Sequence, residues 1–258
     1  MKILLLGGTA DGRRLADTLH QAGIRVVYSL AGLVRVPKVD CELVVGGFTQ
    51  FGGLAAYIRA NQIGMILDVT HPYAQTMSRK AVLAAREVGI PCWRFHRPAW
   101  QPKEGDRWCY YQDDAALLSL LQTFRTPLLS AGQMTDALLR AILKNDSVTS
   151  VIWRTAVAAK FSLPEGVQWI KAIGPFGLKE ERHLLLDHQI DVIVSKNSGG
   201  DATYAKLVAA RELGITVLLQ ERPELPAADK EFNTTDACLE ACLKACSTFT
   251  HDRKDSQQ

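Results

Sequence analysis

Behind the apolar run KILLL stands GGTADGR, Gly7 to Arg13. A strand that runs through such a turn into a helix presents backbone N–H groups and a helix N-terminus, which is chemistry suited to a phosphate. Against the dinucleotide pattern GxGxxG, Gly7 and Gly12 take the first and third places. Thr9 stands where the second glycine would be, its hydroxyl offering a donor to a phosphate oxygen instead of a close backbone approach. A tight strand-to-helix turn without a ligand has the same composition, so both readings stand. After the next apolar run comes SLAG, with no Asp or Glu to take a ribose 2′-hydroxyl. That composition suits NADPH better than NADH, with Ser29 and Arg35 as partners for a 2′-phosphate and Asp40 as a weaker candidate for an NAD contact. The segment THPYA, Thr70 to Ala74, follows a third apolar run; there Pro72 opens a helix and leaves His71 at its boundary, as a donor or acid near a cofactor or as a capping residue. SKNSGGDAT, Ser195 to Thr203, sets Lys196, Asn197, Ser198, Gly199 and Gly200 at another helix start, an anion-receiving composition. Arg97 and Arg222, each followed by proline, either hold carboxylates or tie down the next loop.

These turns need strands to carry them and helices to separate them. Short apolar runs alternate with helical patterns, predicting helices over 10–21, 51–61 and 74–87, then 135–144, 177–188 and 202–213. That rhythm predicts an α/β fold of parallel sheets flanked by helices. The chain also repeats itself: AAREVGIPCWRFHRP at 84–98 and AARELGITVLLQERP at 209–223 share eight of fifteen positions at an offset of 125 residues. The same offset lays residues 3–7 over 128–132 and 65–70 over 190–195. An internal duplication follows, with a first Rossmann-like domain over 1–98, a hinge at 99–106 and a second domain over 107–249. A polar tail covers 250–258, and the cleft between the halves is the expected site.

At 258 residues, 47% hydrophobic and 22% charged, the chain has the composition of a globular protein of about two domains. A net charge of +3 with no basic block gives no footprint for nucleic acid, and no apolar run is long enough for a membrane span. A cytoplasmic location is the default expectation. The six cysteines include no CxxC pair, and Cys238, Cys242 and Cys246 fall on one stripe of a helix, which predicts packed core thiols and no metal. GxSxG, HExxH and a complete P-loop lysine motif are absent, removing the usual support for hydrolase, zinc-protease and ATPase readings.

In order, GGTADGR, SLAG, VGGF followed by FGGL, DVTHPYA, GIPCWRFHRPAW, GPF and SKNSGG make a recognisable set. With them the sequence resembles the precorrin-6A reductase family from residue 2 to about 223. The resemblance implies an NADPH-dependent reduction of one carbon–carbon double bond of a tetrapyrrole, precorrin-6A to precorrin-6B, in cobalamin biosynthesis. It implies a cofactor set of Gly7, Gly8, Thr9, Asp11, Arg13, Ser29, Ala31, Gly32, Gly47, Phe48, Thr70, His71, Pro72 and Tyr73. Leu33 stands where the family has an arginine, so Arg35 would have to substitute or NADPH preference weakens, with NADH as the other cofactor. The acidic substrate implies Lys196 to Gly200, Arg97, Arg222 and Arg79 as its contacts, with His71 and Lys196 positioning it or delivering a proton. Other corrin-pathway enzymes would be hand-over partners. Alternatives are a cobalt-precorrin-6A reductase, a non-catalytic NADP sensor and a glycosyltransferase of two Rossmann-like domains.

Overall fold

The computed structural model describes residues 1–32 and 38–255, with side chains described as far as 247. The chain divides into two units, 1–98 with 223–258 and 99–222. In the first, β1 (Lys2–Leu6), β2 (Arg25–Leu30), β3 (Glu42–Val45), β4 (Met65–Asp68) and β5 (Cys92–Phe95) alternate with α1 (Ala10–Gln21), α2 (Leu54–Ala60) and α3 (Gln75–Val88). From the C-terminal region come β12 (Lys230–Phe232) and α8 (Thr235–Asp255). The sheet runs β12-β5-β4-β1-β2-β3, every pairing parallel.

Apolar runs such as Ile3 to Leu6 lie buried because a parallel strand is covered on both faces. One face carries Ile3, Leu5, Val26 and Tyr28 against Leu15 and Leu19 of α1 and Cys238 and Cys242 of α8. The other carries Leu4, Leu6 and Val27 against Leu54, Ile58, Ala81 and Ala85 of α2 and α3. The cysteine stripe thus packs as core thiols. Among the described residues, no group of three or more His, Cys, Asp or Glu side chains is placed to hold a metal ion. Among the described residues, no helix is long and apolar enough to cross a membrane.

The second unit contains β6 (Trp108–Tyr111), α4 (Asp114–Leu120), β7 (Pro127–Ser130), α5 (Asp136–Leu143), β8 (Val151–Thr155) and β9 (Val167–Lys171). It continues with α6 (Leu178–Asp187), β10 (Val192–Lys196), α7 (Ala205–Leu213) and β11 (Thr216–Gln220). Its sheet order, β6-β11-β10-β7-β8-β9, repeats the first with β6 in the place of β12. The duplication therefore reaches the topology, but the offset is not constant. Leu4 pairs with Val27 and Ile66 as Leu128 pairs with Ile152 and Ile193, so the offset is 124 in β1, 125 in β2 and 127 in β4. It returns to 125 at β5, where Ile66 pairs with Cys92 as Ile193 pairs with Val217.

Two of the predicted boundaries differ from the structure. Residues 223 onward belong to the first unit, because β12 pairs with β5 and α8 covers α1, so the second domain does not extend to 249. The expected hinge at 99–106 is held by the second unit. Trp100 is buried there and exchanges two hydrogen bonds with Asn197 (2.8 and 3.2 Å), while Asp106 binds Arg211 at 2.8 Å. Helix α8 also runs six residues into the segment read as a tail, to Asp255.

Candidate active site

The first unit opens at the carboxyl ends of its strands into a cavity of about 630 Å³. Its walls are Leu6, Gly7 and Gly8 behind β1, Ser29 and Ala31 behind β2, Gly46 to Thr49 behind β3, and Thr70 and His71 behind β4. The cavity continues between α2 and α3, past Leu54, Ala55, Ala56, Met77 and Ala84, to a rim of Arg59, Lys80 and Glu87. At that rim Arg59 and Glu87 are ion-paired at 2.9 Å.

Gly7 is there because nothing larger fits: a Cβ would sit 2.1 Å from Cε2 of the Tyr28 ring. Gly8 has φ +114°, a conformation that disfavours any side chain. Both amides are used inside the protein, Gly7 N–H donating to Ser29 O at 2.9 Å and Gly8 N–H to the Tyr28 hydroxyl at 3.2 Å. Burial raises the Tyr28 pKa above its ordinary value, which keeps that phenol neutral. The Thr9 hydroxyl, read from the sequence as a phosphate donor, is engaged inside the protein. It caps α1 by accepting from Gly12 N–H at 3.0 Å, and gives its own proton to Val69 O at 3.1 Å. Behind β3, Phe48 and Phe51 pack on Tyr57, with ring centres 5.1 and 5.0 Å away, which fixes the Gly46–Gly47 turn against α2.

Behind β4, Asp68 accepts from Thr70 N–H at 3.1 Å and from its hydroxyl at 2.7 Å. His71 Nδ1 accepts from Tyr73 N–H at 3.4 Å, so the neutral ring carries its proton on Nε2. Pro72 precedes α3 rather than opening it; the cap is Ala74.

At the same edge of the second unit, β10 runs into SKNSGG. The side chain of Asn197 is occupied by Trp100, and its carbonyl accepts from Arg222 Nε at 2.9 Å, so both residues shape this loop. The Lys196 ammonium lies over the turn behind β7, 3.7 Å from where a Cβ of Gly132 would be, and burial lowers its pKa. Beneath lies an ionic cluster. Arg154 donates to Glu181 at 2.9 Å, Arg154 and Lys206 each reach the Ser130 hydroxyl at 3.4 Å, and Phe176 of the GPF block covers Arg154 at 4.3 Å. Burial first, then Arg154, push the Lys206 pKa down to about 7.

A cavity edged by glycines at the head of a 3-2-1-4-5 parallel sheet lies where doubly wound folds in general receive their ligands. The model of the precorrin-6x reductase family, CbiJ/CobK, matches residues 2–243. The chain belongs to this family. A precorrin-6A reductase from Rhodococcus erythropolis is 39% identical over 88% of this chain and 91% of its own length. One from Rhodobacter capsulatus is 34% identical over 88% and 90%. The solved structure of a CobK precorrin-6A reductase superposes with a TM-score of 0.82 at 32% identity, over 93% of this chain and 95% of that one. The chain is accordingly an oxidoreductase, and membership of a reductase family brings a nicotinamide cofactor with it.

Of the cofactor residues read from the sequence of this reductase, Gly7, Gly8, Ser29, Ala31, Gly47, Phe48, Thr70 and His71 line the cavity. Thr9, Asp11 and Pro72 meet instead in a separate crevice, together with Arg97, which was read as a substrate contact. There Arg97 binds Asp11 at 2.6 Å, which balances both charges. Arg13 and Gly32 are exposed, and Tyr73 stacks at a tilt on His71, 5.6 Å between centres. Arg35 and Leu33 lie outside the described residues. On α3 the cavity is lined by Lys80, not by the exposed Arg79. Sequence reasoning missed the α2–α3 groove, whose signal was the facing small residues of GGLAA and KAVLAA. Lys206 was also missed, inside a helix that looked merely amphipathic.

Proposed function

We propose that this reductase uses NADPH to reduce a double bond of precorrin-6A, giving precorrin-6B for cobalamin biosynthesis. The observation that carries the cofactor assignment is the first-unit cavity, where Gly7, Gly8, Ser29, Thr70 and His71 come together with no carboxylate at the end of β2. The residues fit the group: Gly8, whose Cβ position is open, leaves room for a close approach, the α2–α3 groove gives apolar walls, and Ser29 offers a hydroxyl. Lys80 places positive charge at the rim, beside the Arg59–Glu87 pair. NADPH, when bound, supplies a hydride.

The chain's own part is to bind, orient and exclude water. Thr70 is fixed by Asp68, and His71 holds an Nε2–H donor at the cavity wall, suited to positioning or to proton delivery. In the second unit Lys196 keeps a cation over the turn behind β7, and Lys196 with the SKNSGG backbone suits the acidic side chains of the substrate. Asn197 and Arg222 act by holding that loop.

Relatives at 34 and 39% identity are precorrin-6A reductases, whereas a cobalt-precorrin-6A reductase from Priestia megaterium is 26% identical, which supports the cobalt-free substrate. The test is anaerobic NADPH oxidation followed by absorbance with precorrin-6A, with NADH and the cobalt-containing substrate in parallel. Consumption dependent on precorrin-6A and faster with NADPH is the expected result. Turnover only with the cobalt substrate would reassign the reaction.

A further inference from the structure

Arg94 sits in the middle of β5, 1% exposed, and its guanidinium has partners on three segments. Nε donates to Asp68 of β4 at 3.3 Å, and Nη1 donates to Glu231 of β12 and to Pro226 O, both at 2.8 Å. Asp68, fully buried, uses Oδ2 for Arg94 and Oδ1 for the amide and hydroxyl of Thr70, which lines the cavity beside His71. One chain of polar contacts therefore runs from the returning C-terminal strand, through Arg94 and Asp68, to the cavity wall.

The fold itself does not require this chain. The second unit has the same sheet, and its strand pairings place Ser195 at the position of Asp68 and Leu219 at that of Arg94. Leu219 is fully buried in an apolar cluster, so the twin sheet closes with a hydrocarbon where the first unit buries a guanidinium. A buried ion pair is often matched or exceeded in stability by such a replacement. Arg94 Nη2 is moreover buried with no hydrogen-bond partner among the described residues, a further cost that a purely structural role leaves uncompensated.

We infer that Arg94 is a positioning residue for the reductase reaction, acting through Asp68 to hold Thr70 and the turn before α3 in the geometry that binds cofactor, and tying that geometry to the docked C-terminal strand. This inference rests on the reading of the first-unit cavity as the cofactor site. It accounts for a charged network in the unit that has the cavity and an apolar contact at the same place in the unit whose floor is ionic.

The decisive variant transplants the second unit's residues, Asp68→Ser with Arg94→Leu. It is expected to fold, with unchanged circular dichroism, and to raise the NADPH Kd and KM by about tenfold while kcat at saturating cofactor changes less than twofold, the effect of a misplaced binding group. A folded transplant with wild-type Kd and KM overturns the inference. Where the transplant does not fold, Glu231→Ala decides. That residue is 56% exposed, and its loss frees Arg94 from β12 without touching the cavity. An NADPH Kd raised by about threefold supports the coupling, and an unchanged Kd overturns it. Ser29→Arg, which fills the cavity itself, separates the two claims. If Ser29→Arg still binds NADPH, the cofactor site lies elsewhere; if it does not bind and the transplant is neutral, only the role of Arg94 falls.

Discussion

At the scale of single residues, Gly7 is set by a collision rather than by flexibility. A methyl group there would meet the Tyr28 ring at 2.1 Å, and that ring is buried and holds Gly8 N–H. Gly7→Ala is expected to destabilise the first unit by about 1–3 kcal/mol. Adding Tyr28→Val should recover most of the packing cost while leaving Gly8 N–H without its partner. Urea unfolding of the two variants reads both effects. Lys206 gives the opposite case, a residue whose removal stabilises. Its pKa falls from the ordinary 10.5 to about 7 because burial and Arg154 disfavour the ammonium. The unfolded chain therefore binds one more proton than the folded one between about pH 7 and 10.5, and stability rises with pH across that window. At ~1.4 kcal/mol per unit, burying this lysine costs several kcal/mol at neutral pH. Lys206→Met leaves the Arg154–Glu181 pair intact, so its Tm should exceed that of the wild type at pH 7, by a margin that narrows toward pH 10. Neither feature could be read from the sequence. A glycine in a turn does not name the ring beneath it, and a lysine in AKLVAARE looks solvated until the helix is docked.

Among the elements, strands and helices were legible because their apolar runs and periodicities are local properties. The predicted helix over 10–21 coincides with α1, whose cap, Thr9, stands in the sequence just before it. Where an element docks was not legible. β12 is only Lys230–Phe232, with too little apolar content to announce a strand, and it exists because β5 offers it an edge. The same segment carries α8, whose Cys238 and Cys242 are buried against α1. The hydrogen bond with the Cys238 thiol, and then burial, raise the Cys242 pKa, so Cys242 is not a ready thiolate. A thiol reagent added to the native reductase should modify the exposed Cys109 first and reach Cys238, Cys242 and Cys92 only on unfolding. A chain ending at Arg222 should lose the β12 edge, the partners of Arg94 on Pro226 and Glu231, and the cover on α1. Low soluble yield and strong binding of a hydrophobic dye are expected of it, whereas a well-folded product would show that the returning segment is dispensable.

For the whole molecule, duplication explains the architecture, and the differences between the copies support the division of labour proposed for them. Strand pairings match Leu6 with Ser130 and Ser29 with Arg154. The residues Gln62 and Gln189, both with φ near +52°, end α2 and α6 alike and match Leu54 with Glu181. The shared AARE segment matches Ala81 with Lys206. Leu6, Ser29 and Leu54 line the cavity of the first unit, while Ser130, Arg154, Glu181 and Lys206 bind one another in the second. A floor of small and apolar side chains leaves room for a nucleotide, and a floor of interlocked charges fills the same place. The reductase should therefore take one NADPH per chain in a calorimetric titration. Ser29→Arg imports the second unit's residue without its Glu partner, and should abolish that binding while the fold persists. Ser29→Arg combined with Leu54→Glu restores the partner, so it should recover thermal stability and still not bind. A second equivalent of cofactor in the wild type, or binding by the double variant, would show that the ionic floor is not what separates the two units.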